Sequence, residues 1–597
     1  MIYCNPVNVN YRYQFHRGRE GRMQICREAA DPSLILFMGR YYLFASMTLG
    51  VWVSDDLAHW ENHRLPDELP LYDYAPDARV MGDWVYLCAS RRDEICHFYR
   101  TRDVLKGPYE KIEGTFPFWD PDLFLDEDGR VYFYWGCSNV TPIWGVELDP
   151  ETLRPLGEKR VLIEGHPEWI GYERVGHDNS VSPAPEEEVE AKCRAWIREK
   201  DIREETLPPE TLAGIRGMFS RRPYIEGPWM TRHGDRYYLQ YAAPGTEYNV
   251  YGDGVYVGTS PLGPFRLAQN NPFSFQPGGF MPGAGHGSTL RDAEGRYWHT
   301  ASMRISVNHM FERRVGIWPA GFDAQGELFC NQRYGDWPMT TEGDPWREPP
   351  WMLLSVGRRM TASSCTPGHE AGKAAEENAQ TWWQAASPGK EEWLEMDLGS
   401  VMDVFAVQIC FADEPEDIPC PRPFAPGQTR VIEDRELHTR WKLEGSRDGK
   451  TWTVVEDKTG AMTYLSHDLV VRQEGMPLRY LRLSGMEVPY GQKPCVSGLR
   501  VFGKGDGKKP AAPVFSALRT GPMDMTVRIE GQGDALGYNI LFGDGADRLY
   551  HSDLVFTPGE HRIGALITGR PVWVRVDAFN ESGITEGTCH EAEGGEA

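Results

Sequence analysis

One local pattern recurs five times in the first half of the chain: a glycine turn followed by a short run of alternating aromatic and apolar residues. The copies begin at Gly39, Gly82, Gly129, Gly234 and Gly295, so successive copies are 43, 47, 105 and 61 residues apart. A turn before an alternating run is typical of a β-hairpin. Three of the spacings lie in or near the length of one four-stranded propeller blade. The pattern therefore predicts a five-bladed β-propeller, an architecture that leaves so many short strands few exposed edges.

The long gap between the third and fourth copies contains a charged segment. Residues 185–217, which open with Pro185-Glu186-Glu187-Glu188, have the composition of a helix rather than of a strand. We therefore expect a helical insertion within a propeller that occupies residues 1–348.

Two further units follow. The aromatic pattern stops near Trp346, and Pro349-Pro350 provides a linker. Residues 349–505 contain alternating segments such as 393–399 and an Asp448-Gly449 turn, which predict a β-sandwich jelly roll. A Gly- and Lys-rich linker, 503–510, precedes a small immunoglobulin-like β-sandwich over residues 510–592. The whole chain is thus predicted to be all-β.

The linkers also predict how independent the units are. Few contacts are expected across a Gly- and Lys-rich boundary, so we expect the propeller to work without residues 510–597. The short Pro349-Pro350 connection leaves the second unit little freedom, and we expect it to pack on the propeller.

The net charge limits the kinds of partner that the chain can bind, and the cysteine spacing bears on where it is located. The formal net charge is −24, and an acidic surface repels both nucleic acid and anionic membranes. The sequence has no apolar run of about 18 residues and no leader pattern at its start. None of the 12 cysteines forms a Cys-x-x-Cys pair. We expect reduced thiols and a cytoplasmic location, or export if a leader has been removed. The oligomeric state stays open.

Three acidic residues stand just before aromatic hairpins. Asp31 precedes the first copy, Asp120 the third and Glu226 the fourth. Equivalent positions of successive blades face one axis, so the repeat predicts that these carboxylates converge. Asp-Pro and Glu-Gly-Pro are also ordinary turn sequences, which leaves a structural role open for each alone. Asp122 is an alternative to Asp120 as the acid that precedes the third copy.

Carboxylates around one pocket suit the cleavage of a glycosidic bond. One must donate a proton to the leaving oxygen and another must activate water. A third can raise the pKa of the acid by like-charge repulsion.

Residues 20–345 resemble glycoside hydrolase family 43, five-bladed propeller enzymes of hemicellulose and arabinan breakdown. The resemblance rests on Ala30-Asp31-Pro32-Ser33, Asp120-Pro121-Asp122-Leu123-Phe124 and Ile225-Glu226-Gly227-Pro228. It implies a general base (Asp31), a pKa modulator (Asp120), a general acid (Glu226) and an inverting mechanism. The family's Trp-Ala-Pro-Asp segment reads Tyr74-Ala75-Pro76-Asp77 here, so the resemblance implies that an aromatic pocket wall is kept, with Tyr74 in place of Trp.

The same resemblance implies further pocket residues. Gly283-Ala284-Gly285-His286 matches a family segment whose His lies on the propeller axis near a water-bound calcium ion, although a structural His is an equal alternative. Arg313 matches a substrate-binding Arg, with Arg314 as its rival, and Trp119 flanks Asp120. Calcium would be structural at most, and catalysis by three acids requires no cofactor.

The C-terminal units carry two weaker resemblances. Residues 349–505 resemble a discoidin-like, galactose-binding-like jelly roll, in which Trp382-Trp383 is either a sugar platform or, as we favour, part of the core. The last unit resembles a fibronectin type III domain, with Trp573 at its usual aromatic position.

The expected function is an exo-acting, inverting glycosidase that releases terminal α-L-arabinofuranose or β-D-xylose from plant-type saccharides. A β-galactosidase-type exo-glycosidase on the same fold is one alternative. A phosphorylase would need several basic residues for phosphate. A catalytically inactive propeller that binds carbohydrate is the alternative from another class, and the presence of all three acids argues against it.

Overall fold

The computed structural model describes residues 1–18, 22–70, 74–91, 94–415 and 418–594. Nearly all regular structure in these residues is β, as the sequence predicts. No helix among them is long and apolar enough to cross a membrane.

Five antiparallel sheets of consecutive strands lie in the described part of residues 30–330. Sheet 1 contains Ala30–Phe37, Arg40–Ser46, Gly50–Ser54 and Glu61–Arg64; sheet 2 contains Asp77–Met81, Trp84–Cys88, Phe98–Thr101 and Glu110–Ile112. Sheet 3 contains Asp122–Leu125, Val131–Trp135, Ile143–Leu148 and Arg160–Ile163; sheet 4 contains Ile225–His233, Arg236–Ala243, Gly252–Gly258 and Phe265–Leu267, with Cys137–Ser138 at its edge. Sheet 5 contains Gly285–Arg291, Tyr297–Arg304, Arg313–Phe322 and Leu328–Cys330.

The five hairpins predicted from the glycine pattern are confirmed. Each recurring glycine joins the first and second strands of one sheet and has a positive φ, between 60° and 84°. Glycine adopts this conformation without the steric cost of a Cβ atom, which explains the residue at the turn.

The first strand of each sheet contacts the first strands of its two neighbours, and these contacts close into a ring. A recurring hydrogen bond from one sheet to the next accompanies most of these contacts. In four of the five sheets, a side chain of the first strand accepts a hydrogen bond from a main-chain N–H of the first strand in the next sheet. The accepting pairs are Ser33 with Ala78 (3.0 Å), Asp77 with Leu123 (2.7 Å), Asp122 with Met230 (2.7 Å) and Ser288 with Leu34 (3.0 Å). Between sheets 4 and 5, Trp229 Nε1 instead donates to the Thr289 carbonyl. The result is a propeller-type arrangement.

The predicted insertion is helical. Helices Glu186–Glu199 and Pro209–Ser220, with the short 3₁₀ turn Glu204–Thr206, lie between sheets 3 and 4. Cys193, Ile197 and Ile215 form their small shared core. A further 3₁₀ turn, Gly171–Glu173, precedes them.

The second unit is built on one extensive sheet. Its strands are Met352–Leu353, Arg359–Ala362, Trp383–Gln384, Leu394–Phe411, Arg440–Ser446, Trp452–Asp457, His467–Glu487 and Cys495–Lys504, with 3₁₀ turns Ala371–Ala375 and Pro489–Gly491. Trp383 is fully buried and Trp382 is 8% exposed. Both rings therefore belong to the interior, which favours core packing over a sugar platform.

The third unit has two sheets. One contains Phe515–Gly521, Asp524–Ile529 and Gly559–Ile563; the other contains Gly537–Gly543, His551–Val555, Trp573–Asn580, Gly583–Thr585 and Cys589–Glu591.

An N-terminal hairpin joins the propeller to the second unit, which the sequence did not predict. Strands Arg12–Arg17 and Met23–Glu28 pair with each other, and the first of them pairs with Arg430–Ile432 of the second unit. A buried ion pair between Arg27 and Asp413, with Nε–Oδ2 at 2.6 Å, lies in the same contact. The expected packing of the second unit on the propeller is therefore present. The extreme N-terminus adds a short pairing of Ile2–Tyr3 with Met339–Thr340.

The expectation that few contacts reach the third unit is wrong. Its buried side chains form one hydrophobic cluster with those of sheets 3 and 4. Ile170 and Ile567 form a β-bridge, the Gly171 N–H donates to the Leu566 carbonyl at 2.8 Å, and Arg174 Nη2 lies 2.6 Å from Asp524 Oδ1. The composition of the 503–510 linker did not reveal this contact. The interface is formed by residues outside the linker, so the flexibility of the linker says nothing about it.

Candidate active site

A left-handed backbone conformation recurs near the start of the first strand of each sheet. The residues that adopt it are Asp31 (φ 49°), Ala75 (51°), Asp120 (48°), Gly227 (56°) and His286 (53°). This conformation is uncommon outside glycine, and strain of this kind often accompanies functional sites.

Serine hydroxyls from neighbouring second strands hold this conformation. The main-chain N–H of Asp31 donates to Ser302 Oγ at 2.9 Å, and that of Asp120 donates to Ser90 Oγ at 2.9 Å. Ala75 donates in the same way to Ser46 Oγ at 2.7 Å. The fold therefore fixes where the side chains of Asp31 and Asp120 begin.

Glu226 occupies a different position of the repeat from the two aspartates. It precedes the left-handed residue Gly227, and so corresponds to Tyr74 before Ala75 and to Trp119 before Asp120. The sequence pattern predicts that the three acids occupy equivalent positions of their repeats. The structure corrects the register of Glu226 by one residue, and the longer Glu side chain still reaches the same centre.

Asp31 is a buried carboxylate held by a cation. Arg313 Nη1 lies 2.8 Å from its Oδ1, and Ser46 Oγ donates to Oδ2 at 2.7 Å. Burial favours the protonated form, but Arg313 and His286 outweigh it and lower the pKa of Asp31 below its ordinary value. An ionised carboxylate is suited to accept a proton from water.

Asp120 and Glu226 lie together around Cys137, with one ligand-type atom from each within 4.8 Å of the others. The Cys137 thiol donates to Glu226 Oε2 at 3.1 Å, and the Tyr251 hydroxyl donates to Glu226 Oε1. Burial raises the pKa of Asp120 to about 7; His286 opposes the shift, whereas Glu226 adds to it. Asp120 therefore retains its proton up to near-neutral pH.

His286 lies between the two aspartates. Its Nδ1 is 3.5 Å from Asp31 Oδ1 and 3.6 Å from Asp120 Oδ2. Burial lowers its pKa, but Asp31, Asp120 and the other nearby carboxylates raise it above the ordinary value overall. A cationic imidazole here balances part of the negative charge of the site.

Aromatic side chains form the wall beside Asp31. The rings of Tyr74 and Phe311 lie 5.7 Å apart, edge to face, and the Arg313 guanidinium lies 5.1 Å from the Phe311 ring. Trp119 is half-buried beside Asp120. Such faces suit the apolar side of a sugar ring.

The two rival residues have other partners. Asp122 accepts the Met230 N–H and pairs with Arg79, which explains it as part of the contact between sheets 2, 3 and 4. Arg314 Nε lies 3.0 Å from His467 Nε2 of the second unit. The structure thus brings Asp120 and Arg313, rather than Asp122 and Arg314, to the other candidate residues.

A calcium ion fits poorly with the side chains around His286. Calcium takes six to eight oxygen ligands, whereas His286 offers nitrogen. The nearby carboxylate of Asp253 already accepts the main-chain N–H groups of His286 and Gly287, at 2.7 and 2.9 Å. We therefore derive no step through calcium.

A second cluster of metal-ligand residues lies at the N-terminal hairpin. It comprises His16, Cys26 and His309. The two imidazole rings stack, with centroids 3.8 Å apart and planes at 18°. Ring-nitrogen lone pairs lie in the ring planes, so stacked rings direct them side by side rather than toward one ion.

Several residues of the site were not predicted from sequence. Cys137 and Tyr251 bind Glu226, while Glu28 and Arg430 extend the charge network beyond Arg313. Only the position of Cys137 could have been noticed in the sequence, because Cys137 and the preceding Gly136 directly follow Val131–Trp135, the second strand of the third hairpin. The others are brought in by contacts distant in sequence.

A family model and several known proteins match this chain. Residues 25–175 and 202–328 match the model of glycosyl hydrolases family 43. The gap in the match, 176–201, contains the first inserted helix. A Humicola insolens protein named xylosidase/arabinosidase 43A is 26% identical over 268 residues, which cover 43% of this chain and 73% of that protein.

Solved structures include the family 43 protein BlXynB from Bacillus licheniformis, at 14% identity, 100% coverage of this chain, 97% of that chain and a TM-score of 0.39. An exo-1,5-alpha-L-arabinanase from a bovine ruminal metagenomic library is 18% identical, covers 51% of this chain and 97% of its own, and has a TM-score of 0.35.

The family-model match and the Humicola insolens relative, together with the carboxylates that converge at the centre of a propeller-type ring, define a glycoside hydrolase. The matched segments are similar to glycosyl hydrolases family 43.

Proposed function

We propose that the chain is an exo-acting, inverting glycoside hydrolase that releases terminal α-L-arabinofuranose or β-D-xylose from plant-type oligo- or polysaccharides. The observation that carries this proposal is the convergence of Asp31, Asp120 and Glu226 on one centre. The name of the Humicola insolens relative, xylosidase/arabinosidase, supports the choice of pentose.

In the proposed reaction, Asp31 acts on water. Its ionised carboxylate, held by Arg313, accepts a proton as the water oxygen attacks the anomeric carbon. Arg313 and Ser46 fix the carboxylate orientation, which reduces the reorganisation needed during the step.

Glu226 acts on the leaving oxygen. Glu226 donates a proton to the departing sugar oxygen, and Asp120, whose carboxyl lies beside it, modulates this transfer. Tyr251 and Cys137 fix both oxygens of Glu226. Tyr74, Trp119, His286 and Arg313 are proposed to contact the sugar.

The proposed architecture follows the same reasoning. We assign the five sheets to five blades within residues 1–348, a discoidin-like jelly roll to 349–505 and a fibronectin type III-like domain to 510–592. No cofactor is needed for the two proton transfers. A cytoplasmic location is a further proposal from the sequence.

The alternatives predict different outcomes on a panel of 4-nitrophenyl α-L-arabinofuranoside, β-D-xyloside and β-D-galactoside. Preferred hydrolysis of the galactoside would support the alternative hypothesis of a β-galactosidase-type exo-glycosidase. No hydrolysis above that of an Asp31→Asn control would support a carbohydrate-binding protein. Preferred cleavage of either pentoside supports the proposal.

Two product measurements complete the test. Proton NMR should show that the first-formed product has the inverted anomeric configuration, and a retained configuration would contradict the single displacement. Oligosaccharides of the preferred pentose should yield monosaccharide from the first time point, whereas early mixtures of longer products would contradict exo action.

A further inference from the structure

Arg430 reaches the wall of the active site from the second unit. It begins the strand Arg430–Ile432, which pairs with the N-terminal hairpin so that Arg430 lies opposite His16. Its side chain is 11% exposed. The residue is more than 75 positions beyond the last strand of sheet 5, so only the packing of the two units brings it here.

The guanidinium of Arg430 bonds to three side chains at once. Nη2 donates to the Tyr74 hydroxyl, and the guanidinium carbon lies 4.9 Å from the centroid of the same ring. Nη1 donates to Glu28 Oε2 at 3.1 Å and to Gln14 Oε1 at 2.9 Å. These contacts fix both the orientation of the Tyr74 ring and the position of Glu28.

Glu28 links Arg430 to the proposed base. Its Oε1 accepts from Arg313 Nη2 at 2.7 Å, and Arg313 in turn binds Asp31. The Glu28 side chain is fully buried and shared by the two arginines. A buried carboxylate that loses one of two cationic partners draws harder on the other, so removal of Arg430 would disturb the Arg313–Asp31 pair.

We propose that Arg430 is a positioning residue of the active site, through which the second unit orients Tyr74 and, by way of Glu28, Arg313. The second unit is then a working part of the catalytic centre rather than a separate sugar-binding module. This inference rests on the proposed glycosidase function for its kinetic test, but it also makes a structural prediction that is independent of activity.

The kinetic test compares Arg430→Met, Tyr74→Phe and the double variant on the preferred nitrophenyl pentoside. Met keeps an unbranched apolar side chain in place of the stem of Arg430 but removes every donor. Loss of a charge-assisted hydrogen bond predicts about a 10- to 100-fold lower kcat/KM. If Arg430 acts through the Tyr74 hydroxyl, the loss in the double variant will be smaller than the product of the two single losses.

Arg430→Lys separates charge from geometry. Lys retains the positive charge but cannot form the fork that reaches Tyr74 and Glu28 together, so it should recover only part of the activity. Arg479→Met is the matched control, because Arg479 pairs with Asp397 within the second unit, with Nε–Oδ1 at 2.8 Å. It should retain wild-type kcat and KM.

Nitration of tyrosines by tetranitromethane, mapped by mass spectrometry, supplies the independent test. Tyr74 should react faster in Arg430→Met than in the wild type or Arg479→Met, whether or not the protein cleaves a pentoside. A wild-type protein inactive on every glycoside would refute the proposed function while this comparison still decides the role of Arg430.

Two results would overturn the inference. One is Arg430→Met with more than half of the wild-type kcat/KM, or with unchanged Tyr74 nitration. The other is a variant whose melting temperature falls but whose kcat and KM, measured well below melting, match the wild type, because that pattern describes a purely structural contact. If Arg430→Met is insoluble, Arg430→Lys is judged by the same measurements.

Discussion

The thiol of Cys137 donates a hydrogen bond to Oε2 of Glu226 across 3.1 Å. The two residues are also direct partners in the pairing of strand Cys137–Ser138 with strand Ile225–His233. The edge strand added to sheet 4 thus has a role: it places a neutral donor on the proposed acid without adding another charge.

Removal of this donor should weaken catalysis modestly. We expect Cys137→Ala to lower kcat/KM about 2- to 12-fold, the effect of one neutral hydrogen bond, and Cys137→Ser to retain more activity because its hydroxyl still donates. Cys365→Ala, at an exposed cysteine, is the control. Equal activity of the Ala and wild-type proteins would show that Glu226 does not depend on the thiol.

Asp31→Asn should abolish most hydrolysis and preserve the fold. Asn has nearly the same shape but cannot take a proton from water, and general-base catalysis contributes about 10²- to 10⁴-fold. Turnover of the preferred nitrophenyl pentoside should fall by at least that factor, with circular dichroism unchanged. Near-normal turnover would remove Asp31 from the role of base.

Glu226→Gln should discriminate between leaving groups. A nitrophenolate departs with little protonation, whereas the hydroxyl of a sugar requires a proton, so the loss should be larger on an oligosaccharide than on the nitrophenyl pentoside. The ratio of kcat/KM values for the two substrates, relative to wild type, measures this difference. Equal losses would assign the proton donor elsewhere.

The alkaline limb of activity should report Asp120. Burial raises its pKa to about 7, so kcat/KM should fall as the pH rises through about 7, where Asp120 loses its proton. Asp120→Asn removes this titrating group, so the decline centred near pH 7 should disappear from the pH profile. A variant that keeps the same limb near pH 7 would contradict this assignment.

Local features of the fold could be predicted from the sequence. The glycine hairpins depend on residues within ten positions of one another, and Asp31 and Asp120 are marked by their Asp-Pro turns. The offset of Glu226 could not be deduced, because the left-handed residue that defines the register is glycine in sheet 4 and aspartate in sheets 1 and 3.

Contacts distant in sequence could not be predicted in the same way. Arg430 and Tyr74 are separated by 356 positions, and Arg174 and Asp524 by 350. Neither pair leaves a periodic or compositional signal, since each depends on how complete units pack. The same limitation explains the incorrect expectation of an independent third unit.

The interface with the third unit predicts that truncation after Gly503 damages the whole protein. Removal of residues 504–597 would expose buried side chains such as Ile170 and leave Arg174, now 5% exposed, without Asp524. Each large apolar side chain returned to water costs about 1.5–3 kcal/mol, and Arg174 also loses its ion pair with Asp524. The truncated protein should be poorly soluble or melt at a markedly lower temperature.

Point variants of the full chain test the same interface without deleting it. Ile567→Asp places a charge where the native side chain is 6% exposed and bridges to Ile170, whereas Val514→Asp changes a side chain that is 52% exposed in the same unit. Differential scanning fluorimetry should show a large fall in melting temperature for Ile567→Asp and almost none for Val514→Asp. If the truncated protein and Ile567→Asp both melt with the wild type and turn over the pentoside normally, the third unit is a separable appendage and the shared core does not stabilise the propeller.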